Sequence, residues 1–264
     1  MRPFTLPAAD LLPDLALLSG LVLRLRARDV DLWRISLDDQ ADGIVEQLGG
    51  LLSEEEQARA DGFHFERDCR RFVVGRGVLR VLLGRYLDVP PHEVLFTAGP
   101  QGKPALPEGD LQFNLTHSEG LAVLAFTRAG DIGVDLERVR DLPDWSAIAA
   151  ACLPPRELQA VRQASPAARL PEFFRAWTRQ EAQLKALGTG FLGDQAVETR
   201  ERDLRLFALD VAPGYEAALA VTAEAQWVTC FSWENSKRSG WVRPVRRAPR
   251  VKLQPTVNAK VDFL

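Results

Sequence analysis

Alternating hydrophobic and polar positions mark the first clear element of the chain, the stretch DVDLWRISL that begins at Asp29. A period of two predicts a half-buried strand with Val30 and Leu32 directed inward. In the stretch LSEEEQARADGF, Ser53 and Glu56 have the spacing of a capping box, in which each side chain bonds the backbone N–H of the other residue. We therefore expect a helix to begin directly after Ser53.

A longer helical pattern lies between Arg67 and Leu87, where apolar residues recur at helical spacing beside an arginine-rich face. Pro90 and Pro91 end it, because proline has no backbone N–H and clashes with the preceding turn. The next segments are short, alternating and separated by Gly and Asp, which predicts a small antiparallel sheet. They are VLFTA, LQFNLTHS, LAVLAFTR and DIGVDLERV.

The second part of the chain repeats this order of helices and strands. Helices are predicted in WSAIAAACL, in PPRELQAVRQA and in a long segment that ends at Gly188, a residue type that suits the position after a helix. The strands LRLFALDV, YEAALAVTA and QWVTCFSW follow. A repeat of roughly 100 residues predicts an α+β fold of two similar halves, a pseudo-dimer in which each half packs one long helix on a small antiparallel sheet. We expect the active site in the cleft between these halves.

This pattern divides the chain into an N-terminal extension (1–29), an N-terminal half (30–129), a C-terminal half (130–233) and a tail (234–264). The tail differs in composition, with eight Lys or Arg against one Asp from Ser236 onward. High charge and interspersed proline oppose packing, so we expect a flexible basic tail. The alternative is an anchor for acidic partners.

Composition restricts the class of protein. Of the 264 residues 46% are hydrophobic, enough for a sizeable core, and 33 Lys and Arg nearly balance 36 Asp and Glu, which gives no indication of nucleic-acid binding. The three cysteines have no CxxC spacing, as expected of thiols in a reducing compartment. The apolar stretch LALLSGLVLRL falls short of the roughly 20 residues that span a bilayer, and Asp10 and Asp14 precede it instead of a basic export signal. We therefore expect a cytoplasmic protein with no membrane partner.

Two acidic segments carry the candidate chemistry. In GVDLE, Asp135 and Glu137 lie on one face if the segment is a strand. In WTRQEAQLKALG, Glu181 and Lys185 lie one turn apart if the segment is a helix. Three carboxylates and one ammonium suit a magnesium-bound pyrophosphate, although each segment taken singly is also typical of a solvated surface.

Three further segments supply groups that suit a phosphorylated ligand. The stretch GPQGKPAL places two glycines before Lys103 and Pro104, so that backbone N–H groups can approach a phosphate closely. The stretch FNLTHS places a polar set at a strand end, namely Asn114, Thr116, His117 and Ser118. Arg59 and the arginines of the long helix offer guanidinium groups for phosphate, although most surface arginines are simply solvated.

In their order and spacing, GKP, FNLTHS, GVDLE and the Trp-x-x-x-Glu-x-x-x-Lys segment resemble the 4′-phosphopantetheinyl transferase superfamily, of the two-halved type that activates surfactin synthetase. The resemblance runs from Asp31 to Phe231. It implies a monomer that transfers the 4′-phosphopantetheine group of coenzyme A to a serine of an apo acyl or peptidyl carrier protein and releases 3′,5′-adenosine bisphosphate. Such carriers serve fatty-acid, polyketide or non-ribosomal peptide synthesis.

The resemblance also implies roles for single residues. Asp135, Glu137 and Glu181 would hold Mg²⁺ against the pyrophosphate of coenzyme A. Lys185 would contact the phosphates, and Glu181, directly or through a metal-bound water, would take the proton of the attacking serine. Contacts with coenzyme A are implied for Arg59 and His117 at the 3′-phosphate, for Lys103 and Pro104 beside the adenine nucleotide, and, with less defined roles, for Thr116 and Arg80.

One position departs from the family pattern, because Gln180 stands where a lysine usually precedes the helix glutamate. A neutral amide removes one phosphate-directed charge, so affinity or rate is expected to fall. Gln180 therefore leaves open a non-catalytic relative that binds coenzyme A or a carrier protein. A second alternative, independent of the family, is an unrelated Mg²⁺-dependent phosphohydrolase. Against the second, the sequence has no further acidic or histidine cluster for a second metal.

Overall fold

The computed structural model describes residues 23–98, 103–188, 204–233, 245–253 and 260–263. It contains both helices and strands in separate stretches of chain, so the predicted α+β class is confirmed. The chain divides into two compact units, the first formed mainly by Ile35–Val94 and the second mainly by Leu95–Ser232. The second unit also includes Leu25–Arg34 and the described part of Arg247–Leu264. The predicted segment boundaries and the placement of the active site between two halves stay predictions, and most of the predicted N-terminal extension lies outside the described residues.

Helices build the described part of the first unit, namely α1 (Asp42–Gly49), α2 (Glu54–Asp61) and α3 (Glu66–Leu87). The predicted capping box begins α2, since Ser53 Oγ accepts the Glu56 N–H at 3.3 Å and Glu56 Oε2 accepts the Ser53 N–H at 2.9 Å. The predicted long helix is confirmed as α3. It ends at Asp88, which has a left-handed φ of 56° and precedes the two prolines.

A buried ion group joins α2 to α3. Arg76 Nε donates to Glu56 Oε1 at 2.5 Å, and Arg80 Nε donates to Glu56 Oε2 at 2.6 Å. Arg80 Nη1 also donates to the carbonyls of Pro91 at 3.2 Å and Val94 at 3.0 Å. Because only 3% of Arg80 and 6% of Glu56 are exposed, these charges lie inside the first unit and hold its last two helices and the following turn together.

Strands predominate in the second unit. The strands of the whole described chain, numbered in order, are β1 (Asp29–Ser36), β2 (Thr97–Ala98), β3 (Pro104–Ala105), β4 (Gln112–Ser118), β5 (Leu121–Thr127), β6 (Ile132–Arg138), β7 (Leu204–Asp210), β8 (Tyr215–Thr222), β9 (Trp227–Trp233), β10 (Val245–Arg247), β11 (Val251–Lys252) and β12 (Lys260–Asp262). One sheet has the order β10-β9-β1-β5-β4, with β11 also paired to β9, and a second has the order β12-β7-β8-β6. A small ladder joins β2 to β3.

Strand pairing agrees with the predicted antiparallel sheets in most described ladders. The pairs β4–β5, β6–β8 and β7–β8 are antiparallel, whereas β12 pairs with β7 in parallel. The repeat pattern grouped β9 with β7 and β8, but β9 lies beside β1 in the larger sheet. A hydrophobic pattern identifies a strand from neighbouring residues and carries no information about which distant strand pairs with it.

The core of the second unit is formed by apolar side chains of both sheets. Val30 and Leu32 are fully buried in it, which confirms the predicted inward positions. The opposite side of β1 is buried as well, because Trp33 stacks on Phe231 with ring centroids 4.3 Å apart. The predicted half-buried strand is therefore wrong in this respect, and β1 is buried on both faces.

Helices α4 (Trp145–Cys152), α5 (Pro155–Gln163) and α6 (Arg169–Leu187) follow β6 as predicted. The helix α6 ends at Gly188, whose φ is 70°, and it packs on β6 and β8. Alanines form this contact on both sides, and their small side chains let the helix lie close to the sheet. No helix in the described part of the chain has the length and apolar character needed to cross a membrane.

The described residues after 244 form short strands, which corrects the prediction of a flexible tail for this part. β10 and β11 pair with β9, and β12 pairs with β7. Arg250 donates to both carboxylate oxygens of Asp29, at 2.6 and 3.2 Å, and lies 4.2 Å from the ring centre of Trp227. The prediction of flexibility rested on the high charge of this segment. Backbone pairing and the contact of Arg250 with the buried Asp29 carboxylate outweigh the effect of that charge.

Candidate active site

The acidic strand β6 lies directly on the main chain of α6 at Gly133. A Cβ atom at this position would be 2.1 Å from the Ala182 carbonyl oxygen and 2.5 Å from the Ala186 nitrogen, so only glycine fits. The close approach brings the acids of β6 to the turns of α6 that carry Glu181 and Lys185. The glycine that opens GVDLE was a signal of this contact, and sequence reasoning used only the acids.

Asp135 and Lys185 meet, as the predicted site requires. Lys185 Nζ donates to Asp135 Oδ1 at 2.5 Å, and Thr116 Oγ1 donates to the same oxygen at 3.2 Å. Lys185 Nζ also lies 3.4 Å from Thr116 Oγ1. Asp135 is only 4% exposed, and its second oxygen, Oδ2, is buried without a hydrogen-bond partner. An unbonded buried carboxylate oxygen is costly, and a further donor or a cation at Oδ2 would remove that cost.

The charges of Asp135 and Lys185 act on both Glu137 and Glu181. Burial raises the pKa of Glu137, the negative charge of Asp135 raises it further, and a hydrogen bond from Ser118 Oγ at 3.0 Å opposes the rise. Burial also raises the pKa of Glu181, as do the charges of Asp135 and Glu137, while Lys185 opposes them. The acid group, defined as Asp135, Glu137, Glu181 and Lys185, therefore holds excess negative charge.

The acid group offers the donors that Mg²⁺ prefers, carboxylate oxygens, although the described residues contain no cluster of three or more His, Cys, Asp or Glu already arranged around a metal position. The unbonded Asp135 Oδ2 and the raised pKa values of Glu137 and Glu181 are both consistent with an added cation. The residues thus fit Mg²⁺ in chemistry, and the predicted set of three ligands stays a prediction.

The strand β4 supplies polar side chains to β6. Asn114 Oδ1 accepts the N–H of Val134 at 2.8 Å, and Ser118 Oγ accepts the N–H of Arg138 at 3.0 Å. Asn114 and Ser118 belong to the polar set of FNLTHS, but no role in the site was predicted for either. Their alternate spacing with Thr116, which puts all three on one face of a strand, was the available signal.

His117 projects from the other face of β4, because successive strand residues point to opposite sides. It is exposed, whereas Thr116 and Ser118 are buried. The structure therefore does not bring His117 to the acid group along this strand face, and its predicted contact with a 3′-phosphate stays a prediction.

Lys103 has a structural use that its sequence position did not reveal. Its Nζ donates to the carbonyl of Lys185 at 2.8 Å and to that of Ile132 at 3.3 Å, so it joins the last turn of α6 to the start of β6. Burial lowers its pKa. Pro104 begins β3 and pairs with Ala98, while the glycines of GPQG lie outside the described residues. The predicted nucleotide contact of this loop stays a prediction.

The predicted arginines differ from each other. Arg59 is exposed, with its guanidinium 5.3 Å from the ring centre of Phe72, and is accessible to an anion. Arg80 was predicted to contact coenzyme A, but it is buried in the ion group with Glu56, as described above. We correct its role to a structural one, because its bonds to Glu56 and two carbonyls leave its charge enclosed in the first unit.

Comparison with known proteins gives consistent matches in both parts of the chain. Residues 131–231 match the family described as the 4′-phosphopantetheinyl transferase superfamily, and residues 42–128 match the 4′-phosphopantetheinyl transferase N-terminal family. The 4′-phosphopantetheinyl transferase HetI of Nostoc sp. is 37% identical over 230 residues, which cover 84% of this chain and 93% of HetI. The human L-aminoadipate-semialdehyde dehydrogenase-phosphopantetheinyl transferase is 27% identical over 211 residues, 75% of this chain and 68% of the human one.

Proposed function

Because this chain belongs to the 4′-phosphopantetheinyl transferase superfamily, we propose that it transfers the 4′-phosphopantetheine group of coenzyme A to a serine of an apo carrier protein. The structural observation that supports this activity most strongly is the acid group. It is partly buried and contains three carboxylates against one ammonium, and burial together with the neighbouring carboxylates raises the pKa of Glu137 and Glu181. Partly buried carboxylates whose pKa is shifted by burial and by neighbouring charges are typical of functional sites.

The reaction is a phosphoryl transfer. The serine oxygen of the carrier attacks the β-phosphorus of coenzyme A and forms a new P–O bond. The bond between the β-phosphorus and the oxygen that bridges to the α-phosphorus breaks, and that oxygen leaves with 3′,5′-adenosine bisphosphate. The serine proton passes to a base, because a neutral hydroxyl is a poor nucleophile.

Glu181 is the proposed base. Burial and the nearby Asp135 and Glu137 raise its pKa, so its carboxylate binds a proton more tightly than a solvated one does. Lys185, one turn further along α6, would stabilise negative charge on the phosphates. In the structure its ammonium bonds Asp135, and Lys185 follows Glu181 by four residues on the same helix.

Asp135, Glu137 and Glu181 would hold Mg²⁺, whose contribution is to neutralise charge on the pyrophosphate of coenzyme A. The unbonded Asp135 Oδ2 supports this assignment, because a cation would give that oxygen a partner. Thr116 donates to the other oxygen of Asp135 and would keep the carboxylate in one orientation.

Contacts with the rest of coenzyme A are proposed for exposed polar and charged side chains. Arg59 and His117 are the proposed contacts for the 3′-phosphate. The segment of Lys103 and Pro104 would contact the adenine nucleotide through its backbone, since the Lys103 ammonium already bonds two carbonyls.

We further propose that the protein is a cytoplasmic monomer. It would belong to the two-halved, surfactin-synthetase-activating type of the superfamily. Its partners would be acyl or peptidyl carrier domains, with no nucleic acid or membrane. The near balance of acidic and basic residues supports the absence of a nucleic-acid partner.

The test is to incubate the protein with coenzyme A, Mg²⁺ and several apo carrier proteins, and to record both the intact mass of each carrier and the release of 3′,5′-adenosine bisphosphate. We expect one phosphopantetheine group per carrier and one nucleotide released per group. Gln180 supports one other candidate, a non-catalytic relative that binds coenzyme A. Retained coenzyme A binding without a mass gain on any carrier would replace the first proposal by the second.

A further inference from the structure

Two edge strands of the second unit lie side by side without forming a backbone ladder. β4 ends the order of the larger sheet, and β6 ends the order of the smaller one. An edge strand has N–H and C=O groups that need partners. Side chains of β4 supply partners for two N–H groups of β6, those of Val134 and Arg138.

The two contacts fix the alignment of these strands. Asn114 bonds the N–H of Val134 and Ser118 bonds that of Arg138, so the sequence separation is 20 residues at both points. Two contacts with the same separation mean that β4 and β6 run in the same direction and cannot slide past each other while both bonds persist. A slip of one residue would turn the acids of β6 to its opposite face.

The acids lie between the two contact points. Thr116 Oγ1, midway between Asn114 and Ser118, bonds Asp135, and the Ser118 hydroxyl also donates to Glu137 Oε2 at 3.0 Å. Ser118 thus bonds both the backbone of β6 and one of its carboxylates. Asn114 is 5% exposed and Ser118 is 7% exposed, so water competes little for either bond.

We propose that Asn114 and Ser118 are positioning residues for the transfer reaction, which hold Asp135 and Glu137 in register opposite α6 by bonding the backbone of β6. The expected effect on the transfer rate rests on the proposed function. The hydrogen bonds that hold β6 can be tested in the free protein, whether or not it transfers. A residue that acts in this way changes the rate at saturation more than the apparent affinity for coenzyme A, because the reacting groups and not the nucleotide contacts are displaced.

The experiment compares Asn114→Ala and Ser118→Ala with Ser118→Thr, which keeps the hydroxyl, and with Gln112→Ala, an exposed position on the same side of β4. Amide hydrogen exchange is measured in the free proteins, without coenzyme A or Mg²⁺. Loss of one acceptor should speed exchange at Val134 or Arg138 about tenfold. The kcat of transfer by Ser118→Ala should fall about tenfold with KM for coenzyme A changed less than about twofold, and Ser118→Thr should restore both exchange and kcat.

Exchange and kcat at wild-type values in both alanine variants would overturn the proposal. So would a loss that Ser118→Thr fails to restore, or faster exchange across the whole chain, because either result indicates general destabilisation. If the wild-type protein transferred nothing to any carrier, the proposed function would fail instead. The exchange data would then still show whether Asn114 and Ser118 hold β6.

Discussion

The two units each contain a partly buried group of charged side chains, and the balance of charge in these groups is opposite. In the first unit one carboxylate, Glu56, bonds two guanidiniums. In the second, three carboxylates accompany one ammonium, which bonds Asp135 and interacts through its charge with Glu137 and Glu181. Burial opposes ionisation of Glu56, but its bonds to Arg80 and Ser53 and the charge of Arg76 outweigh burial and lower its pKa. Burial and like charges raise the pKa of Glu137 and Glu181.

This difference separates the Glu56 group, whose carboxylate is fully paired, from the acid group that we propose performs the transfer. Both Glu56 oxygens have partners, whereas Asp135 Oδ2 has none. A carboxylate with a lowered pKa adds to the free energy of unfolding at neutral pH, while one with a raised pKa subtracts from it. The acid group is thus maintained at a cost to stability, which is expected where function needs the charge.

Among residues other than the proposed base Glu181, the largest effect is expected at Asp135. Asp135→Asn keeps the size of the side chain but removes the charge that holds Lys185 and faces the proposed cation. We expect the rate of carrier modification to fall at least about a hundredfold, and the Mg²⁺ concentration for half-maximal rate to rise. Steady-state kinetics over a Mg²⁺ series measures both. Wild-type kinetics in this variant would remove Asp135 from the site.

A matched change in the first unit should act on stability instead. Glu56→Gln leaves two enclosed guanidiniums without a carboxylate, so we expect the free energy of unfolding to fall by about 3 kcal/mol. Urea unfolding at pH 7 measures it. An unchanged unfolding midpoint would show that the Glu56 group contributes no stability. The proposed difference between a stabilising group in the first unit and the acid group in the second would then be wrong.

A smaller effect is expected at Lys103, which joins α6 to β6. Lys103→Met keeps the length of the side chain and removes the bonds to the carbonyls of Lys185 and Ile132. We expect kcat to fall about tenfold with KM for coenzyme A nearly unchanged. If KM rises instead and kcat is retained, the ammonium contacts the nucleotide directly.

The smallest effect concerns the pH dependence of stability. The folded state binds a proton on Glu181 more tightly than the unfolded state does, because the pKa is raised above the usual 4.5. Glu181→Gln should therefore raise the melting temperature by about 2 °C at pH 7 without ligands, and this gain should vanish as the pH falls through the raised pKa to 4.5.

The opposite pH dependence is expected for Glu56→Gln. Its loss of stability should be present above pH 4.5 and disappear as the pH falls through the lowered pKa of Glu56. Thermal unfolding over a pH series checks both signs, and equal pH dependence in the two variants would contradict them.

The sequence predicts those features that depend on neighbouring residues. The capping box at Ser53, the helical spacing of Glu181 and Lys185, and the acids of GVDLE are local patterns, and the structure contains each of them. The α+β class follows from the same local signals.

Features that depend on distant contacts were missed. Three such features join residues far apart in the chain. They are the pairing of β9 with β1, the ion pair of Arg250 with Asp29, and the bonds from Asn114 and Ser118 to β6. Periodicity reports which face of an element is buried but not what covers it. For the same reason, the arginine pattern did not distinguish buried Arg80 from exposed Arg59.

We propose that the acid group of the second unit performs the transfer and that the Glu56 group of the first unit does not. The most direct test is the initial rate of carrier modification per folded molecule, by intact mass, for Glu181→Gln and Glu56→Gln under conditions where both are folded. We expect Glu181→Gln to lose about a thousandfold, because it removes the base, and Glu56→Gln to retain the wild-type rate. Transfer by Glu181→Gln at the wild-type rate would contradict the claim.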